Sequence, residues 1–160
     1  MAGSYTLSKT RRLVNAMVTP LIRLGLAGRQ VYTLTVEGRK SGRRYSTPVK
    51  LVVDGEKRWL VAPYGDRNWV KNARAAGWVE LSRSGKSERV GVTEVDAAEA
   101  GPVLRSYLRQ NRVTRTFFDA KATDSVEVFI AEAPLHPVFR LSRTEPRTSK
   151  TERDRFGANL

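Results

Sequence analysis

The sequence predicts a mostly β (α+β) fold, an antiparallel barrel of about six strands with helices packed over its ends. Short segments with strand patterns recur along the chain, which is the first observation behind this prediction. The second is the pair of tight turns at Asp54-Gly55 and around Ser84-Gly85, which are typical of hairpins. The third is the lack of a regular strand–helix alternation, which argues against a parallel sheet. A chain of 160 residues is long enough to bury one core.

The first strand shows the pattern most clearly. Tyr32, Leu34 and Val36 alternate with polar residues, which is the period of a strand with one buried face. Similar or shorter patterns mark the other strands, predicted at residues 46–53, 58–62, 78–82, 88–95, 126–132 and 137–141. The pattern over 126–132 is the weakest, and 137–141 is a short final strand.

Three helical regions are predicted. Residues 7–26 form one or two short helices with a basic polar side, broken or kinked at Pro20. This segment could lie on an anionic membrane surface, but the pattern is more typical of a helix packed across the end of a barrel. A second helix is capped by Asp66 or Asn68 and ends near residue 76, and a third spans about residues 96–111.

The chain is therefore expected to have three parts. Residues 1–30 are a basic amphipathic helical segment, residues 31–142 are the barrel, and residues 143–160 are a polar tail expected to be disordered. No apolar run approaches the roughly 20 residues that span a bilayer. We expect a cytoplasmic protein, with peripheral contact to the inner face of the plasma membrane through the first segment as an open alternative.

The turn at residues 38–44 carries the strongest local signal. Gly38 and Gly42 flank Ser41, and four cations surround it. Glycines allow backbone N–H groups to approach an anion, and basic side chains add charge-assisted hydrogen bonds to a phosphate. The alternative is an ordinary solvated hairpin, because basic glycine-rich turns also join strands without binding anything.

Composition narrows the function classes. The 29 basic and 16 acidic residues leave a net charge of +13, which favours anionic partners. Nucleic acid is an unlikely partner, because aromatic residues are not interleaved with the basic runs as stacking platforms would be. The chain has no cysteine and one histidine, His136, so a metal site built from thiolates or several histidines is impossible and no metal is expected.

Few residues could act as acids or bases. His136 lies between Pro134 and Pro137 without an obvious triad partner, and carboxylates are sparse near the basic stretches. A hydrolase with paired carboxylates is therefore disfavoured. Chemistry carried by a bound cofactor suits such a chain better.

Three pieces in order resemble the deazaflavin (coenzyme F420)-dependent nitroreductase family of actinobacteria, including mycobacteria. They are the turn at residues 38–42 (GRKSG), Thr47-Pro48 leading to Asp54-Gly55, and the strand end Val61-Ala62 followed by Trp69 and Asn72. The likeness covers about residues 32–95 and continues more weakly to about residue 141. It implies a split β-barrel that binds F420 and passes a hydride from the reduced coenzyme to an electrophilic acceptor.

The resemblance also implies roles for particular residues. Those facing the phosphate region of the coenzyme would be Lys40, Ser41 and Arg44. Those lining the chromophore would be Thr47, Pro48 and Val49. Those forming the opposite wall would be Val61, Ala62, Pro63, Tyr64 and Gly65, supported by Trp69 and Asn72. The acidic oligoglutamate tail of F420 suits the basic composition.

The chain departs from the family pattern in two places. Tyr45 and Thr47 stand where many members have Arg and Asn, and Pro63-Tyr64-Gly65 replaces a longer Ser-Lys-Gly-Gly loop. These differences bear on the phosphate contacts and on the substrate.

The expected function is an F420H2-dependent reductase acting on a small-molecule redox substrate such as a quinone, an activated alkene or a nitroaromatic. Tyr64 could donate a proton, and Tyr107, Phe117 and Phe118 could shape the acceptor pocket. The alternative is a non-catalytic carrier that binds F420 or a lipid at the membrane surface. The sequence leaves the acceptor and the oligomeric state open.

Overall fold

The computed structural model describes residues 28–144. Within this range lie six strands: β1 Val31–Glu37, β2 Arg44–Asp54, β3 Lys57–Val61, β4 Trp78–Arg83, β5 Lys86–Glu94 and β6 Val138–Arg143. They close into a barrel in the order β1-β2-β3-β6-β5-β4, and every neighbouring pair is antiparallel. The predicted antiparallel barrel is confirmed. The predictions for residues 7–26 and for most of the tail fall outside the described residues.

Three α-helices and two short 3₁₀ helices accompany the strands in residues 28–144. The α-helices are α1 Asn68–Ala76, α2 Ala97–Gln110 and α3 Val126–Glu132. The 3₁₀ helices are Arg112–Phe117 and Ala133–Leu135. Asp96 begins α2 as its N-cap, since its Oδ1 accepts a hydrogen bond of 2.9 Å from the Glu99 N–H.

The barrel interior and α1 share one apolar core. Successive strand residues point to opposite faces, so Leu34 and Val36 of β1 face inward together with Leu51 of β2 and Leu60 of β3. Val70 and Ala73 of α1 belong to the same buried group, so α1 closes the interior on that side.

A second core lies on the outer face of β2, β3 and β6. Trp59 and Val61 of β3, which alternate with the inward Leu60, pack outward against α2 and α3. The fully buried Phe129 of α3 and Leu104 of α2 belong to this group. This packing fixes the helices against the side of the barrel where β3 ends.

Two local predictions were wrong. Residues 126–132 form α3 rather than a strand: Phe129 and Glu132, three positions apart, are buried while Val128 and Ala131 are exposed. This is the division of faces of a helix, which the weak alternation concealed. The second error concerns α1: its N-cap is Arg67, without a side-chain capping bond, in place of Asp66 or Asn68.

Candidate active site

A cleft of about 780 Å³ opens beside the barrel, a volume within the ordinary range of ligand sites. It lies between β2, the loop after β3, α1 and the C-terminal end of α2. Its lining residues are Val31, Thr47, Pro48, Val49, Lys50, Val61, Pro63, Tyr64, Asp66, Arg67, Asn68, Trp69, Lys71, Tyr107, Asn111 and Val113.

One wall of the cleft is a stretch of β2. Thr47, Pro48 and Val49 are half-buried and line the cleft together. Pro48 stands opposite Thr33 of β1 in the register, within a regular antiparallel pair. A wall built on a paired strand is rigid, which suits the holding of a flat ring.

The facing wall is the loop that follows β3. The Ala62 N–H donates to the Pro137 carbonyl over 2.9 Å, which holds the loop to the start of β6. Gly65 adopts φ +80°, and a Cβ there would lie 3.2 Å from the Leu135 carbonyl oxygen, so a bulkier residue would strain the bend. The bend presents Pro63 and Tyr64 to the cleft.

Aromatic side chains form the end of the cleft near α2. The Tyr64 ring meets Phe117 edge to face, with centroids 4.7 Å apart. Tyr107 also lines the cleft, although only 5% of the residue is exposed. Burial raises the pKa of Tyr107 to about 12, against a smaller lowering by its hydrogen bond with Thr114, and the nearby Tyr64 adds to the rise. The Tyr107 hydroxyl therefore stays protonated at neutral pH.

Basic side chains line the cleft at positions that the sequence did not single out. They are Lys50 on β2, Arg67 before α1 and Lys71 on α1. The Lys50 ammonium reaches the Gln110 carbonyl at the end of α2, and the Arg67 Nε donates to the Tyr64 carbonyl over 3.1 Å. Isolated cations form no recognisable sequence motif, and these three come together only in the folded chain.

The basic turn between β1 and β2 is tied to α1. Asn72 is buried, and its Oδ1 accepts hydrogen bonds from the Arg39 backbone N–H at 3.1 Å and from the Arg39 Nη1 at 2.8 Å. A Cβ on Gly38 would lie 2.8 Å from the ring of the exposed Tyr45, which would have to turn aside.

Three predicted phosphate-contact residues lie in or beside this turn and outside the walls of the cleft. Lys40 is exposed, and the Ser41 hydroxyl accepts a hydrogen bond of 3.3 Å from the Arg43 N–H. The Arg44 guanidinium pairs with Glu80 of β4 at 2.9 Å. Their contact with a phosphate stays a prediction.

Other predicted residues support the cleft from behind. Ala62 is buried in the barrel interior, and Gly65 shapes the loop. Trp69 lines the cleft and lies against Phe139 of β6, with ring centroids 6.3 Å apart. Phe118 is buried and stacks on His136 rather than facing the cleft.

His136 has a partner that the sequence analysis missed. Its Nε2 lies 3.0 Å from the Glu132 Oε1, and both residues are buried. The signal was present as a glutamate four residues before the histidine, but the predicted strand over 126–132 obscured it. Among residues 28–144, no cluster of His, Cys, Asp and Glu could hold a metal ion, and no helix is long and apolar enough to span a bilayer.

A sequence model of the F420H(2)-dependent quinone reductases matches residues 9–133, more than three quarters of the chain. The chain belongs to this family. It is an oxidoreductase, an F420H2-dependent reductase, and F420 is its cofactor. No curated protein matches the sequence significantly.

Solved structures share the fold of this family member. An F420-H2 dependent reductase (FDR-A) superposes with a TM-score of 0.51 at 20% identity, over 71% of this chain and 95% of the other. A structure described as a domain-swapped dimer superposes with a TM-score of 0.52 at 19% identity, over 84% of this chain and 94% of the other. A protein of unknown function from Agrobacterium tumefaciens superposes with a TM-score of 0.50 at 13% identity, over 90% of this chain and 60% of the other.

The residues present fit F420. The coenzyme combines a flat ring with a phosphate and an acidic tail, and the cleft combines the two walls with Lys50, Arg67 and Lys71. When bound, reduced F420 supplies a hydride, so the protein itself needs to supply orientation and a proton.

Proposed function

We propose that this reductase transfers the hydride of reduced F420 to a flat, electrophilic ring, in the first instance a quinone, within the cleft beside β2. The observation that carries the proposal is the cleft itself, which has a strand wall on one side and an aromatic end on the other. Activated alkenes and nitroaromatics are the competing acceptors.

Thr47, Pro48 and Val49 serve as the wall for the coenzyme ring in this proposal. The strand wall supports this role because backbone groups in a paired strand hold fixed positions. The face of the ring turned away from β2 is left open to the acceptor, and Val61 and Pro63 at the end of β3 border that side of the cleft.

The acidic arm of the coenzyme follows the basic residues. Lys71 lies one position before Asn72, which holds the turn that carries Lys40 and Ser41. A path along α1 therefore leads from the cleft to the basic turn. The positive side chains along it favour an anionic tail through long-range attraction as well as direct contact.

The aromatic end of the cleft takes the acceptor. Tyr64 presents its ring to the cleft, a surface that packs well against another flat ring, and the edge-to-face contact with Phe117 supports it. Tyr107 and Val113 complete this end, and the Tyr107 hydroxyl can donate a hydrogen bond to an acceptor oxygen.

The Tyr64 hydroxyl supplies the proton. A quinone gains one hydride and one proton to become a hydroquinone, so one proton donor within reach completes the reduction. Tyr64 regains its proton from solvent, since it is only half-buried.

The test combines binding and turnover. Titration of the purified protein with oxidised F420, followed by the fluorescence of the chromophore, should show saturable binding at micromolar concentrations. Turnover of reduced F420 with matched quinone, activated-alkene and nitroaromatic acceptors should then give the highest kcat/KM for a quinone. Binding without turnover of any acceptor would contradict the proposal, and a nitroaromatic preference would overturn the assignment of the acceptor.

A further inference from the structure

The only histidine of the chain lies buried between two hydrogen-bond acceptors. His136 is 4% exposed, and its Nδ1 lies 2.9 Å from the Pro63 carbonyl oxygen. A carbonyl oxygen only accepts, so this contact requires a proton on Nδ1. The other ring nitrogen, Nε2, faces the Glu132 carboxyl group.

Backbone donors hold the Glu132 carboxyl group in place. Its Oε1 accepts a hydrogen bond of 2.8 Å from the Asp119 N–H, and its Oε2 accepts one of 2.7 Å from the Ala120 N–H. The same Oε1 lies 3.0 Å from Nε2, so His136 links a fixed carboxyl group to the carbonyl that precedes Tyr64.

Aromatic packing also fixes the imidazole of His136. The Phe118 ring stacks on it with centroids 3.9 Å apart and an angle of 18° between the planes. Tyr107 of α2 packs on Phe118 in turn, with centroids 6.5 Å apart. The imidazole is therefore held by a ring face as well as through both of its nitrogens.

The contacts of His136 adjoin Tyr64 and the ring that packs on it. Pro63, the acceptor for Nδ1, precedes Tyr64, and Phe118, the stacked ring, follows Phe117. Tyr64 lines the cleft, and Phe117 supports it edge to face without lining the cleft itself. His136 therefore holds the residue next to Tyr64 and the residue next to its supporting ring.

We propose that His136 is a positioning residue, held between Glu132 and the Pro63 carbonyl, that fixes the Tyr64 ring in the geometry that binds the acceptor. This inference rests on the proposed acceptor site. Without the imidazole, the Pro63 carbonyl and the Glu132 carboxyl group each lose a hydrogen-bond partner, and the loop that carries Pro63 and Tyr64 loosens.

The first experiment reads the hydrogen bonds of His136 directly. Because the chain has one histidine, the imidazole nitrogen signals in a two-dimensional ¹H–¹⁵N NMR spectrum of the full-length protein belong to His136 without further assignment. Nδ1 should carry a proton, which the Pro63 carbonyl accepts, and His136→Gln should shift the ring signals of Tyr64. An unprotonated Nδ1, or Tyr64 signals that ignore the substitution, would overturn the proposal.

The second experiment separates positioning from simple stability. His136→Gln keeps an N–H donor for one partner, and His136→Leu keeps none, so the KM for the acceptor should rise in the order wild type, Gln, Leu, by roughly tenfold for Leu. Glu132→Gln should also raise the KM, because an amide replaces one of the two acceptor oxygens by a donor. Equal KM values across the folded variants would refute the role of His136.

The binding of F420 distinguishes the two proposals. The affinity for oxidised F420 should change by less than about threefold in the His136 variants, since the β2 wall is unaltered. If the wild-type protein failed to bind F420, the proposed function would be refuted. The NMR result on His136 does not depend on F420 binding and would remain valid.

Discussion

Asn72 of α1 holds Arg39 of the β1–β2 turn through two hydrogen bonds, one to the backbone N–H and one to the guanidinium. The two residues are 33 positions apart, and the amide is 4% exposed. The turn is therefore fixed relative to the helix that lines the cleft. A loose basic turn would lose entropy on binding an anion, whereas a turn already held in place loses less.

Replacing Asn72 by Ala should destabilise the fold by about 1–3 kcal/mol, because two donors lose a buried acceptor. The same change should weaken F420 binding, because the turn is freed. Urea unfolding and F420 titration measure the two effects. Arg39→Ala is the matched control: it removes the guanidinium bond but keeps the backbone one, so its cost should be smaller. An unchanged midpoint for Asn72→Ala would refute this account of the turn.

Gly101 allows α2 and α3 to approach closely. A Cβ at this position would collide with the Ile130 side chain and lie 3.2 Å from its backbone nitrogen. Gly101→Ala should thus destabilise by about 1–3 kcal/mol through overpacking, although alanine normally favours a helix by about 1 kcal/mol. Chemical denaturation measures the change. Adding Ile130→Ala to the variant should recover part of the loss, and stabilisation by Gly101→Ala alone would contradict the close packing.

The helix pair α2 and α3 also shows which features of the fold the sequence pattern does not determine. The alternation of Leu34 and Val36, and the glycine turns, predict strands because a strand buries every second residue regardless of its partners. The identity of α3 depends on which face meets α2, and a stretch of seven residues carries too little periodicity to reveal that.

Part of the candidate site could likewise be predicted from the sequence, and part could not. Thr47, Pro63 and Tyr64 were predicted as a set because a family pattern places them in order along the chain. Lys50 and Lys71 were missed because they come together only when β2 and α1 are packed. The pair of Glu132 and His136 required the helix that the pattern concealed.

Lys71 offers a test of the basic path along α1. Its side chain lines the cleft and is exposed, so its attraction for an acidic tail is modest, about 1 kcal/mol at low salt. Lys71→Ala should therefore raise the Kd for F420 by roughly fivefold and reduce the salt dependence of binding. Lys86→Ala, in the β4–β5 hairpin, makes the same charge change outside the cleft and should leave the Kd unaltered. If the two variants changed the Kd equally, the net charge of the protein would explain the effect, and the basic path along α1 would be refuted.

The raised pKa of Tyr107 predicts a loss of stability at high pH. Burial raises its pKa to about 12, from 10.0 for an ordinary tyrosine. The unfolded chain therefore ionises first, so the contribution of the neutral phenol is complete below pH 10 and is lost between pH 10 and about 12. The loss amounts to about 3 kcal/mol. Urea unfolding across this range should show the decline in the wild type and a smaller decline in Tyr107→Phe, and parallel curves would contradict burial of the hydroxyl.

Tyr64 is the residue on which the proposed proton transfer depends. Tyr64→Phe keeps the ring that meets Phe117 edge to face and removes only the hydroxyl, so the cleft should keep its shape. We expect kcat for quinone reduction to fall by roughly a hundredfold, because a positioned acid contributes that much, while the Kd for F420 stays within about twofold.

The control for Tyr64→Phe is Tyr45→Phe, which removes an exposed hydroxyl outside the cleft. Stopped-flow reduction of the acceptor isolates the chemical step, and a solvent isotope effect present in the wild type should change in Tyr64→Phe alone. If kcat were unaltered, the proton would have to come from another donor that faces the same end of the cleft. Tyr107 is the candidate, because it lines the same end of the cleft, although its raised pKa makes it a weaker acid than an ordinary tyrosine. The double variant Tyr64→Phe with Tyr107→Phe then decides between the two phenols and water.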